Sequence, residues 1–142
     1  MIFQLLLGSV IVVLTILVEA VFIIAGVQAL RKLSHWLERS YRLQKAVACL
    51  AAVTTWLMAA HTIAVWIWAA VFMELGAFDA LEPAVYFSVV TFTTLGFGDV
   101  ILGPEWRLLG GIAAANGLLI FAMSAAFLVE FISRMLKMER LE

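Results

Sequence analysis

Residues 91–100 read TFTTLGFGDV and hold the side chains whose types and spacing could do chemistry. Three threonines, two glycines one residue apart and one aspartate lie here between strongly apolar stretches. Threonine hydroxyls and backbone carbonyls are oxygen ligands for hard cations, and glycine permits the positive φ angles that turn neighbouring carbonyls the same way. The aspartate could instead act in acid–base chemistry, as paired carboxylates do in proteases. The segment therefore indicates either cation binding or carboxylate catalysis, and its surroundings must decide between them.

The composition of the whole chain is that of an integral membrane protein. Of 142 residues, 65% are hydrophobic and 13% are charged, and the mean hydropathy is +1.11. A soluble domain of this size could not cover its surface with so few charges. The single cysteine, Cys49, lies in an apolar stretch and excludes an intrachain disulfide.

Three apolar stretches are long enough to span a membrane as helices: 1–30, 45–72 and 106–136. Each exceeds the roughly 20 residues that an α-helix needs to cross the hydrocarbon core. The first is not expected to be a cleaved signal peptide, because no basic residue precedes its apolar run and that run is too long. The sequence therefore predicts an all-α membrane protein with three transmembrane helices.

The distribution of positive charge predicts the orientation of these helices. Of the nine Lys and Arg residues, five lie in 31–45 and three in 134–140, whereas 74–105 contains five acidic residues and no Lys or Arg. By the positive-inside rule, 31–45 and the C-terminus face the cytoplasm, and the N-terminus and 74–105 face outward. We expect a multi-pass protein of the cell (inner) membrane.

The basic linker 31–45 has a helical pattern of its own. Leu33, Trp36, Leu37 and Tyr41 fall on one helical face, and the basic residues lie mostly elsewhere. This pattern favours a helix at the inner membrane interface, with its basic side chains on anionic lipid headgroups. The alternative, a solvated basic loop that only fixes the topology, stays open.

A short apolar stretch inside the outer connection predicts a re-entrant element. Pro83 suits the first position of a helix, where its missing N–H has no partner to lose. Residues 84–93 would form about 16 Å of apolar helix, too short to cross the bilayer, before Gly96 and Gly98 end it. Non-helical backbone persists at this depth only where it is buried in protein or lines a watery path. One loop supplies a single file of oxygens, so a closed cage around a cation requires a symmetric oligomer.

The sequence TFTTLGFGD resembles the T-x-x-T-x-G-[YF]-G-D signature of potassium channels. The matching positions are Thr91, Thr94, Gly96, Phe97, Gly98 and Asp99. The longer stretch AVYFSVVTFTTLGFGDV is similar to small bacterial channels with two helices and a pore loop per subunit. The implied divisions are a pore domain 46–136, with outer helix 46–72, pore helix 83–93, selectivity filter 94–98 and inner helix 106–136. The transmembrane helix 1–30, the basic cytoplasmic linker 31–45 and the short cytoplasmic tail 137–142 lie outside the resemblance.

The resemblance implies a potassium-selective channel that works as a homotetramer. Its filter would replace the hydration shell of K⁺, which is the permeant ion rather than a cofactor, and no cofactor or nucleic-acid partner is expected. Four copies of the stretch from Thr94 to Gly98 would line one axis. The ion ligands would be the Thr94 hydroxyl and the backbone carbonyls of Thr94, Leu95, Gly96 and Phe97. Membrane lipids are the other expected partners.

The resemblance also implies residues that support the filter: Thr91, Tyr86, Phe87 and Asp99. Tyr86 and Phe87 occupy the place of an aromatic pair that surrounds the filter, although ordinary core packing would explain them equally. Two positions depart from the pattern. Phe97 replaces a commoner tyrosine and loses a hydroxyl, and Val90 stands where some members have a glutamate. Neither change removes a carbonyl, so we expect selectivity for K⁺ with a less rigid filter.

The inner helix contains candidate hinge and gate residues. Gly117 lies where similar channels carry a hinge glycine, but close helix packing would also favour a small residue. Phe121, Ala125 and Val129 follow at steps of four, and an apolar ring at Ala125 or Val129 could close a pore by dewetting. Asn116 needs a polar partner at this depth, either in a cavity or on a neighbouring helix.

Ionisable residues within the apolar stretches are functional candidates. Glu19 and His61 are expected at depths that differ by about one helical turn, so the two could pair. Such a pair could sense pH, since histidine changes charge in the physiological range. The alternative is a histidine that simply satisfies its hydrogen bonds. Glu130 and Arg134, at i and i+4, are expected to form an ion pair at the helix end.

Parts of the sequence are also compatible with functions other than conduction. Residues 96–99 also match the G-x-G-D of intramembrane aspartyl proteases, but those enzymes need a second aspartate, and Asp79 lies in the outer connection. We therefore predict that the protein is not an enzyme. A non-selective cation channel or a non-conducting subunit with the same pore fold remains the alternative. No helix carries arginine at every third position, so voltage sensing by such a helix is unsupported. Our hypothesis for gating is lipid or membrane tension acting on 1–45.

Overall fold

The computed structural model describes residues 1–38 and 43–139 of the chain, with side chains in 1–29, 31–32 and 44–135. These residues form four helices and no strand: α1 (Ile2–Glu38), α2 (Leu43–Glu74), α3 (Leu81–Phe92) and α4 (Arg107–Glu139). Three of the helices contain apolar spans long enough to cross a membrane, at Ile2–Ala29, Gln44–Glu74 and Arg107–Met135. The predicted all-α membrane fold is confirmed.

The first helix is longer than the predicted span 1–30. α1 continues without interruption to Glu38, because residues 31–38 contain neither glycine nor proline to end it. The backbone of the basic linker is therefore helical as far as Glu38. The amphipathic pattern predicted for Leu33 to Tyr41 lies outside the described side chains.

The short helix α3 begins at Leu81, before the predicted start at Pro83. Pro83 occupies the first turn, where its lack of an N–H breaks no helical bond. Glu82 also lies in this turn, where its negative charge complements the helix dipole. At 12 residues, α3 is about 18 Å long, which is half-membrane length as predicted.

The core lies where α3 is held between α2 and α4. α1 contacts both α2 and α4, and α3 contacts the same two helices. Trp68, Phe72 and Phe92 are fully buried, and the ring centroids of Phe72 and Phe87 lie 5.3 Å apart in an edge-to-face arrangement. These large side chains, all within one apolar cluster, fix the position of α3 and hence of the chain that follows it.

Candidate functional site

The C-terminus of α3 is closed by the first N–H groups of the glycine-containing segment. Thr94 N donates to Thr91 O at 2.9 Å, and Leu95 N donates to Val90 O at 2.9 Å. This pair of bonds is a Schellman motif, which satisfies carbonyls that a helix end leaves open. Gly96 N also lies 3.3 Å from Val90 O. The segment is thereby attached to the buried end of α3.

The backbone of the segment alternates in handedness. Thr94, Gly96 and Gly98 have φ angles of 59°, 57° and 77°, whereas Leu95 and Phe97 between them are not in the positive-φ region. Glycine adopts positive φ at no steric cost, but a β-branched threonine there is a strained exception. Such strain concentrates at functional sites, where the surrounding structure enforces it. Here the Schellman motif places Thr94 at the position that usually takes glycine.

The carbonyl groups of this segment accept no backbone hydrogen bond within a single chain. Among the described residues, no backbone N–H donates to a carbonyl of Thr94, Leu95, Gly96, Phe97 or Gly98. The side chains are also open, since Leu95 is 56% exposed and Phe97 is 67% exposed. A single chain therefore presents a row of unpaired carbonyls and apolar side chains at its surface, which is costly in a membrane protein unless another molecule covers it.

A hydrogen bond ties the outer end of the segment to α3. The Tyr86 hydroxyl donates to Asp99 Oδ2 at 2.6 Å, and Val100 N donates to Asp99 Oδ1 at 3.0 Å. The bond from Tyr86 holds the pKa of the Asp99 carboxyl below its ordinary value, and the same bond raises the pKa of the Tyr86 phenol. Asp99 is thus an ionised bracing group in this arrangement.

The other predicted support residues take different positions. Phe87 is a core residue, packed on Phe72 and on Phe78, whose ring centroid lies 5.4 Å away. Thr91 is half-buried and lines an open cavity of about 430 Å³ between α3 and the start of α4. Val90 is buried and contributes its carbonyl to the Schellman motif, so its apolar side chain is compatible with the site.

Gly117 packs directly against the end of α3. A Cβ atom at this position would lie 1.8 Å from Phe92 O, far inside any van der Waals contact. Close packing therefore requires glycine at this position, whichever way α4 bends. This contact does not test whether Gly117 is also a hinge, so the hinge role remains a prediction.

The candidate gate residues further along α4 lie on two different sides. Phe121 turns inward, with its ring centroid 4.4 Å from that of His61 and 5.9 Å from that of Phe92. Ala125 and Val129 are exposed, Val129 by 65%. Of the three predicted gate residues, only Ala125 and Val129 therefore lie on the exposed face of α4 in a single chain.

Buried polar side chains join α1 to the other two long helices. Asn116 Nδ2 donates to Thr15 Oγ1 at 2.7 Å. Of the two predicted partners for Asn116, a cavity or a neighbouring helix, the structure therefore shows the neighbouring helix α1. Ser124 Oγ donates to Glu19 Oε1 and lies 2.9 Å from His61 Nε2. The predicted pairing of Glu19 with His61 is present, with Nε2 and Oε1 3.7 Å apart.

Sequence reasoning missed the contributions of Thr15 and Ser124. Both are small hydroxyl residues of a kind common in transmembrane helices. Thr15 lies four residues before Glu19 on α1, and Ser124 lies eight residues after Asn116 on α4, so only these shared helix faces could have indicated them. The predicted surface pair is confirmed, with Arg134 Nε 2.6 Å from Glu130 Oε1.

Comparison with known proteins adds independent information. A family model described as "Ion channel" matches residues 47–134, more than half of the chain. The potassium voltage-gated channel protein Shal of Drosophila melanogaster is 33% identical over 60 residues, which cover 40% of this chain and 10% of that protein. The chain thus spans about a tenth of the length of that relative. No solved structure matches the chain. α1 precedes the region that the family model matches.

Proposed function

This chain belongs to the ion channel family, and from that membership we propose that it conducts K⁺ passively through a selectivity filter formed by residues 94–98. Membership also argues against the protease alternative. The observation that carries the proposal is the row of free carbonyls whose residues alternate in the sign of φ.

This backbone suits a partly dehydrated monovalent cation. Alternating handedness lets successive carbonyls face the same side, so that the oxygens of Thr94, Leu95, Gly96 and Phe97 form a ladder. Such oxygens replace the water that K⁺ sheds, and the Thr94 hydroxyl adds a ligand at the inner end. Phe97 offers its carbonyl as well as a tyrosine would, because the ligand is the backbone.

We propose that four copies assemble around these ladders. One chain offers oxygens from one side only, whereas a cyclic tetramer surrounds the ion and closes without further growth. Assembly would also cover Leu95 and Phe97, which are open in the single chain. Ala125 and Val129, on the open face of α4, would then line the inner part of the path as a candidate gate.

The orientation follows from the charges, and we propose that the filter faces outward. Residues 74–105 carry acids and no basic residue, whereas 31–45 is basic, so the positive-inside rule places the latter in the cytoplasm. We further propose the cell (inner) membrane as the location and anionic lipid as a partner of 31–45.

The test is the reversal potential of the purified protein in planar bilayers, with K⁺ on one side and Na⁺ on the other. A K⁺-selective pore gives a reversal potential far from zero, with the sign set by K⁺ leaving the K⁺ side more readily than Na⁺ leaves the other. Gly96→Ala should remove this selectivity, because alanine at φ 57° is strained. Gly76→Ala is the matched control, since Gly76 has φ 65° and equally open surroundings but lies outside the filter.

Each other outcome points to a named alternative. A wild-type potential near zero with robust current overturns K⁺ selectivity and supports a non-selective cation channel. Absence of current from protein shown to be a folded oligomer supports a non-conducting subunit. Equal effects of the two glycine substitutions would mean that backbone strain alone, and not the filter, explains the loss.

A further inference from the structure

A cluster of three buried polar side chains joins α1 to α2 and α4 inside the membrane span. Glu19 is 1% exposed, His61 6% and Ser124 4%. Ser124 donates its one hydroxyl hydrogen to Glu19 Oε1. When Glu19 accepts that hydrogen as a carboxylate, His61 Nε2, 2.9 Å from Ser124 Oγ, is the donor in that contact. The cluster is a directed chain from imidazole to hydroxyl to carboxyl.

Among the side chains that the structure describes, the polar contacts of Glu19 and His61 are with Ser124 and with each other. The neighbouring helix α3 approaches with the ring of Phe92, which packs on Phe121 beside His61. On α1, α2 and α4, the next ionisable residue lies about 9 Å or more along the helix axis from the cluster residue of that helix. On α3, it lies about 9 Å or more along the axis from Phe92. Those residues are Arg31 on α1, Lys45 and Glu74 on α2, Glu82 and Tyr86 on α3, and Arg107 and Glu130 on α4.

The charge of the cluster therefore depends on its own protons. With one proton shared between Glu19 and His61, the cluster has no net charge, either as two neutral groups or as an ion pair. Loss of that proton leaves a buried carboxylate without a countercharge, and gain of a second leaves a buried imidazolium. An uncompensated charge in a low-dielectric interior is strongly unfavourable.

We propose that Glu19, Ser124 and His61 form a proton-binding site that fastens α1 to the inner helix α4 when it holds one shared proton, and releases α4 when it holds none or two. This use of the site rests on the proposed channel function. Ser124 precedes Ala125, which lies on the open face of α4. Displacement of Ser124 away from α1 therefore moves the proposed lining of the ion path.

The proposal predicts a K⁺ flux that is lowest at intermediate pH and rises on both sides. A rise of at least about fivefold on each side is expected, since coupling between sites commonly amounts to 5–150-fold. Substitution of Glu19 and substitution of His61 should each abolish the rise in flux on one side of the pH minimum. Glu19→Gln cannot form the buried carboxylate, so the alkaline rise is lost. His61→Gln cannot form the imidazolium, so the acid rise is lost.

The experiment uses the full chain in liposomes, with K⁺ flux measured from about pH 4 to about pH 10, a range that spans carboxyl and imidazole titration. Trp56→Phe is the control, because it removes another contact of α1, the 2.9 Å bond from Trp56 Nε1 to Phe22 O, without removing a titratable group. It should keep both rises. Flux that is flat across this range in the wild type, or both rises surviving in both glutamine variants, overturns the proposal.

A second measurement detects the proton without any ion flux. Infrared spectra of the detergent-purified protein should contain a carboxyl band that titrates and is absent in Glu19→Gln. The midpoint of that titration should move in His61→Gln, and an unmoved midpoint overturns the shared site. If no variant conducts but the midpoint moves, the channel proposal fails while the proton site stands.

Discussion

Replacement of Gly117 by alanine is the sharpest test of how α4 meets the filter. The added Cβ would lie 1.8 Å from Phe92 O and 2.7 Å from Phe92 C. These are backbone atoms, so no side-chain rotation can relieve the overlap. Since real Cβ contacts below 3.0 Å are essentially absent, α3 and α4 must separate by about 1 Å or more.

The energetic balance is unfavourable for this variant. Overpacking costs about 1–3 kcal/mol, and a clash with fixed backbone belongs at the upper end of that range. The gain in helix propensity from glycine to alanine is about 1 kcal/mol. A net loss of about 1–2 kcal/mol is expected. Because Phe92 is followed at once by the cap residue Thr93 and by Thr94, the displacement also reaches the proposed filter.

Thermal unfolding in detergent and ion selectivity in bilayers measure the two effects. The matched control is Gly111→Ala on the same helix, where a Cβ meets nothing within 4 Å. That variant should be as stable as the wild type or up to about 1 kcal/mol more stable. If Gly117→Ala unfolds with the wild-type midpoint and keeps its selectivity, the packing explanation is wrong. A change confined to opening would then favour the hinge.

Two further substitutions test contacts that the structure shows. Tyr86→Phe removes the hydrogen bond that lowers the pKa of Asp99, so the pKa of the Asp99 carboxyl should rise toward its ordinary value; an unchanged Asp99 pKa in an NMR titration of the purified protein would contradict this. Asn116→Ala should cost about 0.6–1.7 kcal/mol in thermal unfolding by removing the bond to Thr15, whereas Thr62→Ala, which removes a bond within one helix only, is the control and should cost less.

Most of the fold could be predicted because its signals are local. Apolar stretches of membrane length specified α1, α2 and α4, and the short stretch before Gly96 specified α3. The helix ends were less predictable. α1 passes its predicted end at residue 30 because charged residues do not by themselves stop a helix, and α3 starts before Pro83 because proline is tolerated throughout a first turn.

The contacts between helices could be predicted only in part. The pairing of Glu19 with His61 followed from their similar depth, but depth does not specify the rotation of each helix about its axis. Ser124, which bridges the pair, was therefore missed. Rotation also explains why Phe121 turns toward His61 while Ala125 lies open. For Gly117, the sequence allowed either a hinge or close helix packing. The distance to Phe92 O shows that packing alone requires glycine, and no sequence pattern contains that distance.

The row of unpaired carbonyls at residues 94–98 has a consequence for biosynthesis. A single chain presents this row at its surface, so it could offer a cation oxygens from one side only. A cation at such a surface would exchange its full water shell for a few ligands, which is strongly unfavourable. On the proposed assembly, a solitary chain would therefore be an insulator, and the membrane would keep its ion gradients while subunits accumulate. Permeability would begin only when the last of the four proposed subunits joins.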